Sequence, residues 1–173
     1  MTTISIRTRV ASFVTAVALL IQMSPAVAAG QDQDHNNRPV EVTFTKWVLP
    51  NSVNMEGVTG GAVPGVFVGE TLQSQMSVNP ALKGKVNRLE VVYEVQDQDG
   101  DRYFTALIRG GSNRVELVGL FDGVILAGWR TGARVKVAWQ RYPASDPICL
   151  DAGAPPNLNC FNGVIYVGRA PRD

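Results

Sequence analysis

A chain of 173 residues that is 45% hydrophobic and 18% charged has the makings of one globular domain, and that composition excludes a disordered polypeptide. Seventeen glycines and ten prolines favour short strands and turns over helices. Sixteen basic residues against fifteen acidic ones leave no electrostatic footprint for nucleic acid or an anionic membrane.

Residues 1–29 read as a signal peptide. Arg7 and Arg9 supply a positive start, residues 10–21 form an apolar core too short to cross a bilayer, and Ala26-Val27-Ala28 offers a small-residue cleavage site. An uncleaved anchor is the alternative, weakened by Ser12 and Thr15 within the apolar core. Cleavage would leave 14 basic residues, a net charge of about −1, and a protein that is secreted or periplasmic and free of the membrane. Residues 30–39 are polar and unpatterned, an expected disordered lead-in to a domain over 40–170. His35 is the sole histidine, so His-dependent triads and His-rich metal sites are excluded. A base working near pH 7 would have to be a perturbed carboxylate or lysine.

Residues 40–48 alternate Val40, Val42 and Phe44 with Glu41, Thr43 and Thr45, the period of a strand with one buried face, and Trp47 ends it as a core aromatic. Residues 49–64, rich in Gly, Pro and Asn, read as a long connection of the kind that covers a barrel mouth. The glycines at 60, 61 and 65 superficially suggest a phosphate loop, but a strand over 66–72 follows and no helix N-terminus is offered to an anion. Within that strand Glu70 lies on the face opposite Phe67, facing either solvent or a lumen.

Residues 74–85 read as a second connection with room for one helical turn. Residues 87–98 form a long strand with Leu89, Val91, Tyr93 and Val95 on one face. The carboxylates at 97, 99 and 101 have part of a calcium-loop spacing, yet Gly100 falls one place too early and a terminal glutamate is missing, so Asp99-Gly100 is read as a hairpin turn back into 102–109. Residues 115–142 (VELVGLFDGVILAGWRTGARVKVAWQRY) then give two or three strands, with bends or turns at Gly119, Gly123, Gly128 and Gly132. Asp122 reads as an edge hydrogen-bonding group. A last strand occupies 161–169. The expected fold is all-β, a single closed antiparallel barrel of about eight strands.

Cys149 and Cys160 are the only cysteines, and a disulfide across the Gly/Pro/Asn-rich segment between them is the default in an oxidising compartment. A metal pair is the alternative, but two thiols without a nearby histidine do not complete a tetrahedral site. No metal and no cofactor is called for.

With the strands placed, the chain resembles the allene oxide cyclase and dirigent barrel family, most of all its secreted bacterial members. The resemblance is carried by residues 61–65 (GAVPG) leading into 66–72, by 100–103 (GDRY), by 120–124 (LFDGV) with 128–133 (GWRTGA), and by 160–165 (CFNGVI). These span most of 40–170, and their order carries more than any one of them. The resemblance implies an eight-stranded barrel with a mostly apolar lumen, often oligomeric, that holds a hydrophobic small molecule. In the cyclases a cavity glutamate on the first strand assists ring closure; residues 43–47 (TFTKW) have none.

Three readings stay open. The first is a binding barrel for a small hydrophobic molecule, its lumen lined by aromatic residues including Trp47, Phe67 and Tyr93. The second is an isomerase or cyclase in which Glu70, with Tyr93, supplies acid or base, since a carboxylate desolvated in an apolar lumen would have a raised pKa. The third is a structural or interaction barrel whose core is filled solid.

Overall fold

The computed structural model describes residues 38–171; the predicted signal peptide, its cleavage site and most of the polar lead-in with His35 lie outside them. Eight strands follow in chain order: β1 Val40–Val48, β2 Asn54–Gly61, β3 Gly65–Met76, β4 Val86–Asp97, β5 Tyr103–Asn113, β6 Val118–Gly128, β7 Arg134–Tyr142 and β8 Cys160–Val167. Each pairs antiparallel with the next, and β8 returns to β1 to close the barrel. Closure leaves no free sheet edge, the solution anticipated for a strand-rich, helix-poor chain. Among the described residues a single short helix, α1 (Pro147–Asp151), lies in the β7–β8 connection and is capped by the Asp146 side chain, which accepts from the Ile148 N–H at 3.0 Å.

The alternation read in the sequence sets the inside and the outside. Val42 and Phe44 of β1, Phe67 of β3, Val91, Tyr93 and Val95 of β4, and Phe104, Ala106 and Ile108 of β5 point into one continuous core. Phe44 stacks on Phe67 (ring centroids 5.6 Å apart), and Tyr93 meets Phe67 edge-on at 4.7 Å. This aromatic trio fills the middle of the lumen with side chains each worth about 1.5–3 kcal/mol when fully buried.

The two ends differ. The β2–β3, β4–β5 and β6–β7 turns close one end over Val63, Ala133 and Trp129. There Arg102 and Arg130 both sit over the Trp129 ring, 5.7 and 4.6 Å from its centroid, and Arg130 donates to the Gly168 carbonyl at 2.9 Å. The β1–β2, β3–β4, β5–β6 and β7–β8 connections surround the opposite end.

Two predicted connections contain strand. Residues 54–61, read as loop on their glycines, form β2. A Cβ on Gly57 would lie 2.2 Å from the Thr45 carbonyl oxygen, so glycine there permits close approach of β1 and β2 and does not mark a turn. β3 likewise runs on to Met76 through an irregularity between Thr71 and Gln73. In the other direction, the strand expected from Val115 starts only at Val118, after a turn in which Leu117 has φ 59°. The Asp99-Gly100 hairpin and the glycine turns at 128 and 132 form as expected, with φ of 78°, 86° and 83° at Gly100, Gly128 and Gly132.

Candidate functional site

Strand parity puts one more β1 side chain in the lumen. Lys46, two residues beyond Phe44, points inward and is only 4% exposed. Its Nζ is hydrogen-bonded to the Tyr93 hydroxyl and lies 3.2 Å from the Met55 sulfur. The Tyr93 ring centroid is 4.3 Å away, with Phe67, Phe44 and Phe161 at 5.6, 5.8 and 5.9 Å. Among the described residues no carboxylate lies within ion-pair distance of it. Burial without a counter-charge pulls the Lys46 pKa from 10.5 down to about 7, and the same burial pushes the Tyr93 phenol up. The pair is therefore a neutral phenol beside an amine that gives up its proton far more readily than an exposed lysine. Ring faces close to Nζ offset part of the cost of the charged form.

Above this pair the lumen opens into a cup of about 150 Å³ toward the end where Val48 and Leu89 meet solvent. Lys46, Tyr93, Val91, Met55 and Phe121 form its deeply buried part, and Thr71, Ser112, Trp139 and Phe161 its walls. Trp139 holds the wall together: it stacks on Phe121 at 6.2 Å and meets Phe161 edge-on at 4.9 Å. Gly119 makes room for the indole, since a Cβ there would lie 2.3 Å from Trp139 Cε2. The Trp139 indole N–H is buried and has no acceptor. A buried donor without a partner costs roughly 1–3 kcal/mol. In size the cup matches an apolar cavity of about 150 Å³ that accommodates benzene.

Of the residues expected at the site, Tyr93 lies on the cup floor and Phe67 is packed beneath it in the filled core. Trp47 does not line the lumen. It is out of phase with Phe44 and Lys46, so its indole leaves the barrel wall outward and packs in a separate cluster with Cys149, Cys160 and Ala154. Cys149 and Cys160 are joined by a disulfide. Glu70 is likewise outside, out of phase with the inward Phe67 and Thr71. It shares with Glu56 and Glu94 an outer-surface groove open to solvent. A larger groove of about 460 Å³ on the outer face of β3–β5 surrounds the Arg109–Glu90 ion pair, whose charges satisfy each other at 2.8 and 3.2 Å.

Among the described residues, no group of three or more His, Cys, Asp or Glu side chains converges on a metal position, and none of their helices is long and apolar enough to cross a membrane. Lys46 is the candidate residue that hydrophobicity alone does not reveal. The signal was present: the alternation that sends Val42 and Phe44 inward sends Lys46 the same way. Searches with the chain find no matching family model, curated protein or solved structure.

Proposed function

We propose that the protein is a secreted or periplasmic barrel of the allene oxide cyclase and dirigent type that binds a small apolar molecule in the Lys46–Tyr93 cup. One observation carries the reading: a buried amine and the phenol hydroxyl bonded to it stand at a hollow lined mainly by aromatic and aliphatic side chains. Small-molecule sites pair an apolar lining with a few convergent polar groups in this way. The volume favours one ring or a short chain in the cup, with any longer tail leaving past Val48 and Leu89. Export is supported by the leader pattern of residues 1–29 and by the disulfide.

Native mass spectrometry of the mature protein purified from its own host tests this reading. The expected result is a co-purifying small molecule that is lost in Trp139→Ala and retained in Trp47→Phe; the same spectrum reads the oligomeric state. A protein that stays ligand-free, and whose tryptophan fluorescence responds saturably to no member of a panel of single-ring compounds, would refute it and favour a structural barrel.

An isomerase or cyclase is the second reading, favoured by the titration of Lys46 near pH 7. A group poised there serves as general base while Tyr93 stays protonated as a hydrogen-bond donor. Glu70, outside the lumen, has no part in it.

A further inference from the structure

We infer that the cup takes a small aldehyde, carried on an aromatic ring or a short apolar chain, and holds it reversibly as an imine on Lys46. This rests on the cup being the ligand site and names the ligand's chemistry. Three features point to a carbonyl. Lys46 is buried at the cup beside Tyr93, whereas Val48, which lines the same hollow, is exposed, so a ligand entering past Val48 moves toward the amine. Among the described residues the nitrogen has no carboxylate partner that would hold it as a salt-bridged ammonium. The lining offers an acid ligand the Lys46 amine and the hydroxyls of Tyr93, Thr71 and Ser112 but no second cation, so a carboxylate buried there would rest on a single positive charge that is itself costly to bury. A neutral aldehyde meeting a neutral amine buries no charge at all.

In the step itself, the Nζ lone pair forms a bond to the carbonyl carbon and the C=O π pair moves onto oxygen, which takes one of the nitrogen's protons to give a carbinolamine. The C–O bond then breaks and oxygen leaves as water with the second nitrogen proton, giving C=N. Aldehyde and amine become imine and water, with nothing oxidised or reduced. The Tyr93 hydroxyl, hydrogen-bonded to Nζ, is within reach of an oxygen carried on the carbon bonded to Nζ, and can pass the proton between the two atoms. Desolvation of the lysine in an apolar pocket is the general means by which such amines are made nucleophilic.

Benzaldehyde with cyanoborohydride at pH 7 tests the inference, since reduction fixes an imine as a stable secondary amine. The competing side chains are Lys83, Lys85 and Lys136, all exposed, and the chain's α-amine. An ordinary lysine holds its free amine in only about one molecule in a few thousand at pH 7. Peptide mapping should therefore find Lys46 labelled at least about ten-fold above each of the other three lysines. Labelling at Lys46 should vanish in Lys46→Met and slow in Tyr93→Phe, with folding of both checked by circular dichroism. Benzyl alcohol, which has the same ring and forms no imine, separates this inference from the reading it rests on. Saturable quenching of tryptophan fluorescence by benzyl alcohol without an adduct on Lys46 would overturn the imine and leave the binding site. Absence of both would overturn both. Lys46-dependent binding of benzoate in preference to benzaldehyde would also overturn the imine, in favour of an ammonium–carboxylate contact.

Discussion

The Lys46 amine and the Tyr93 hydroxyl are bonded to each other across the lumen, from β1 to β4, two strands that share no edge. Nothing in the sheet's own hydrogen bonding requires that contact. It gives the buried amine one polar partner, places the phenol beside it, and makes the pair the boundary between the filled half of the barrel and the open cup.

The pair should imprint a pH dependence on stability. Below pH 7 Lys46 is charged in both folded and unfolded chains, and the folded form bears the whole cost of desolvating the ammonium. Between about 7 and 10.5 the unfolded chain binds more protons than the folded one, so stability rises with pH; above that range Lys46 is neutral in both. The full rise is on the order of 5 kcal/mol. Tyr93 acts in the opposite sense at the alkaline end: burial keeps it protonated after an exposed tyrosine would ionise, so stability falls again above about pH 10. In Lys46→Met the rising limb should disappear, leaving the variant about 1–3 kcal/mol more stable than the parent at pH 6 even with the Tyr93 hydroxyl short of a partner. Urea denaturation at pH 6 and pH 9.5 measures it, and an unchanged difference between the two proteins at the two pH values would refute the titration.

Removing only the hydroxyl separates its role from burial. In Tyr93→Phe the ammonium loses the oxygen that accepts its hydrogen bond, so the charged form is further disfavoured and the rising limb should move to lower pH. The lost hydrogen bond should cost about 1 kcal/mol. A limb that moves to higher pH would mean that the phenol serves mainly as donor to the neutral amine.

How far the sequence reveals this site depends on which residues carry strand parity unaided. The barrel itself was legible because long alternations such as Leu89 to Val95 admit one reading, and Asp99-Gly100 marks its own turn. β2 was hidden because its glycines answer to the neighbouring strand: Gly57 is small for the sake of the Thr45 carbonyl, a contact that exists only after pairing. Trp47 and Lys46 show the deeper difficulty. Hydrophobicity alone assigns Trp47 to the lumen and Lys46 to solvent, and both assignments invert the true phase. They are reversed because the disulfide-linked β7–β8 connection supplies a second apolar cluster on the outer wall that shelters the tryptophan. Glu70 obeys parity, but parity alone does not say which face of a closed sheet is the lumen until Phe67 is seen packed against Phe44 and Tyr93.

Gly119 provides a way to disturb the cup and leave the chemistry of its floor untouched. An alanine Cβ would lie 2.3–2.7 Å from three atoms of the Trp139 indole, which must swing away from the wall. Gly119→Ala should lose about 1–3 kcal/mol of stability and weaken single-ring ligands about ten-fold, read by tryptophan fluorescence. Gly111→Ala is the control: its added Cβ makes only ordinary contacts at 3.6 Å, and binding should not change. Equal effects of the two substitutions would refute the role of Trp139.

The disulfide should matter for stability and not for the cup. It closes a loop of about eleven residues, which in the chain-entropy account is worth about 3 kcal/mol. Its cluster packs on the outer side of Trp47, away from Lys46. Cys149→Ala with Cys160→Ala should therefore lower the melting temperature while ligand affinity at 25 °C stays within about two-fold. A collapse of binding in a still-folded double variant would show that the β7–β8 connection shapes the mouth directly.

Glu70 closes the set because it separates two places for an acid. If chemistry depended on a carboxylate, Glu70→Gln would abolish turnover of any substrate that Lys46→Met also abolishes. Glu70 is exposed on the outer face, in an open groove beside Glu56 and Glu94, and does not line the cup. Glu70→Gln should therefore change stability by no more than about 0.5 kcal/mol and leave both single-ring binding and Lys46 labelling as in the parent. Because the substitution removes one of three neighbouring negative charges, any stability change should be a gain that fades with added salt. A fall in Lys46 labelling on this one substitution would reopen the case for a carboxylate acting in the lumen.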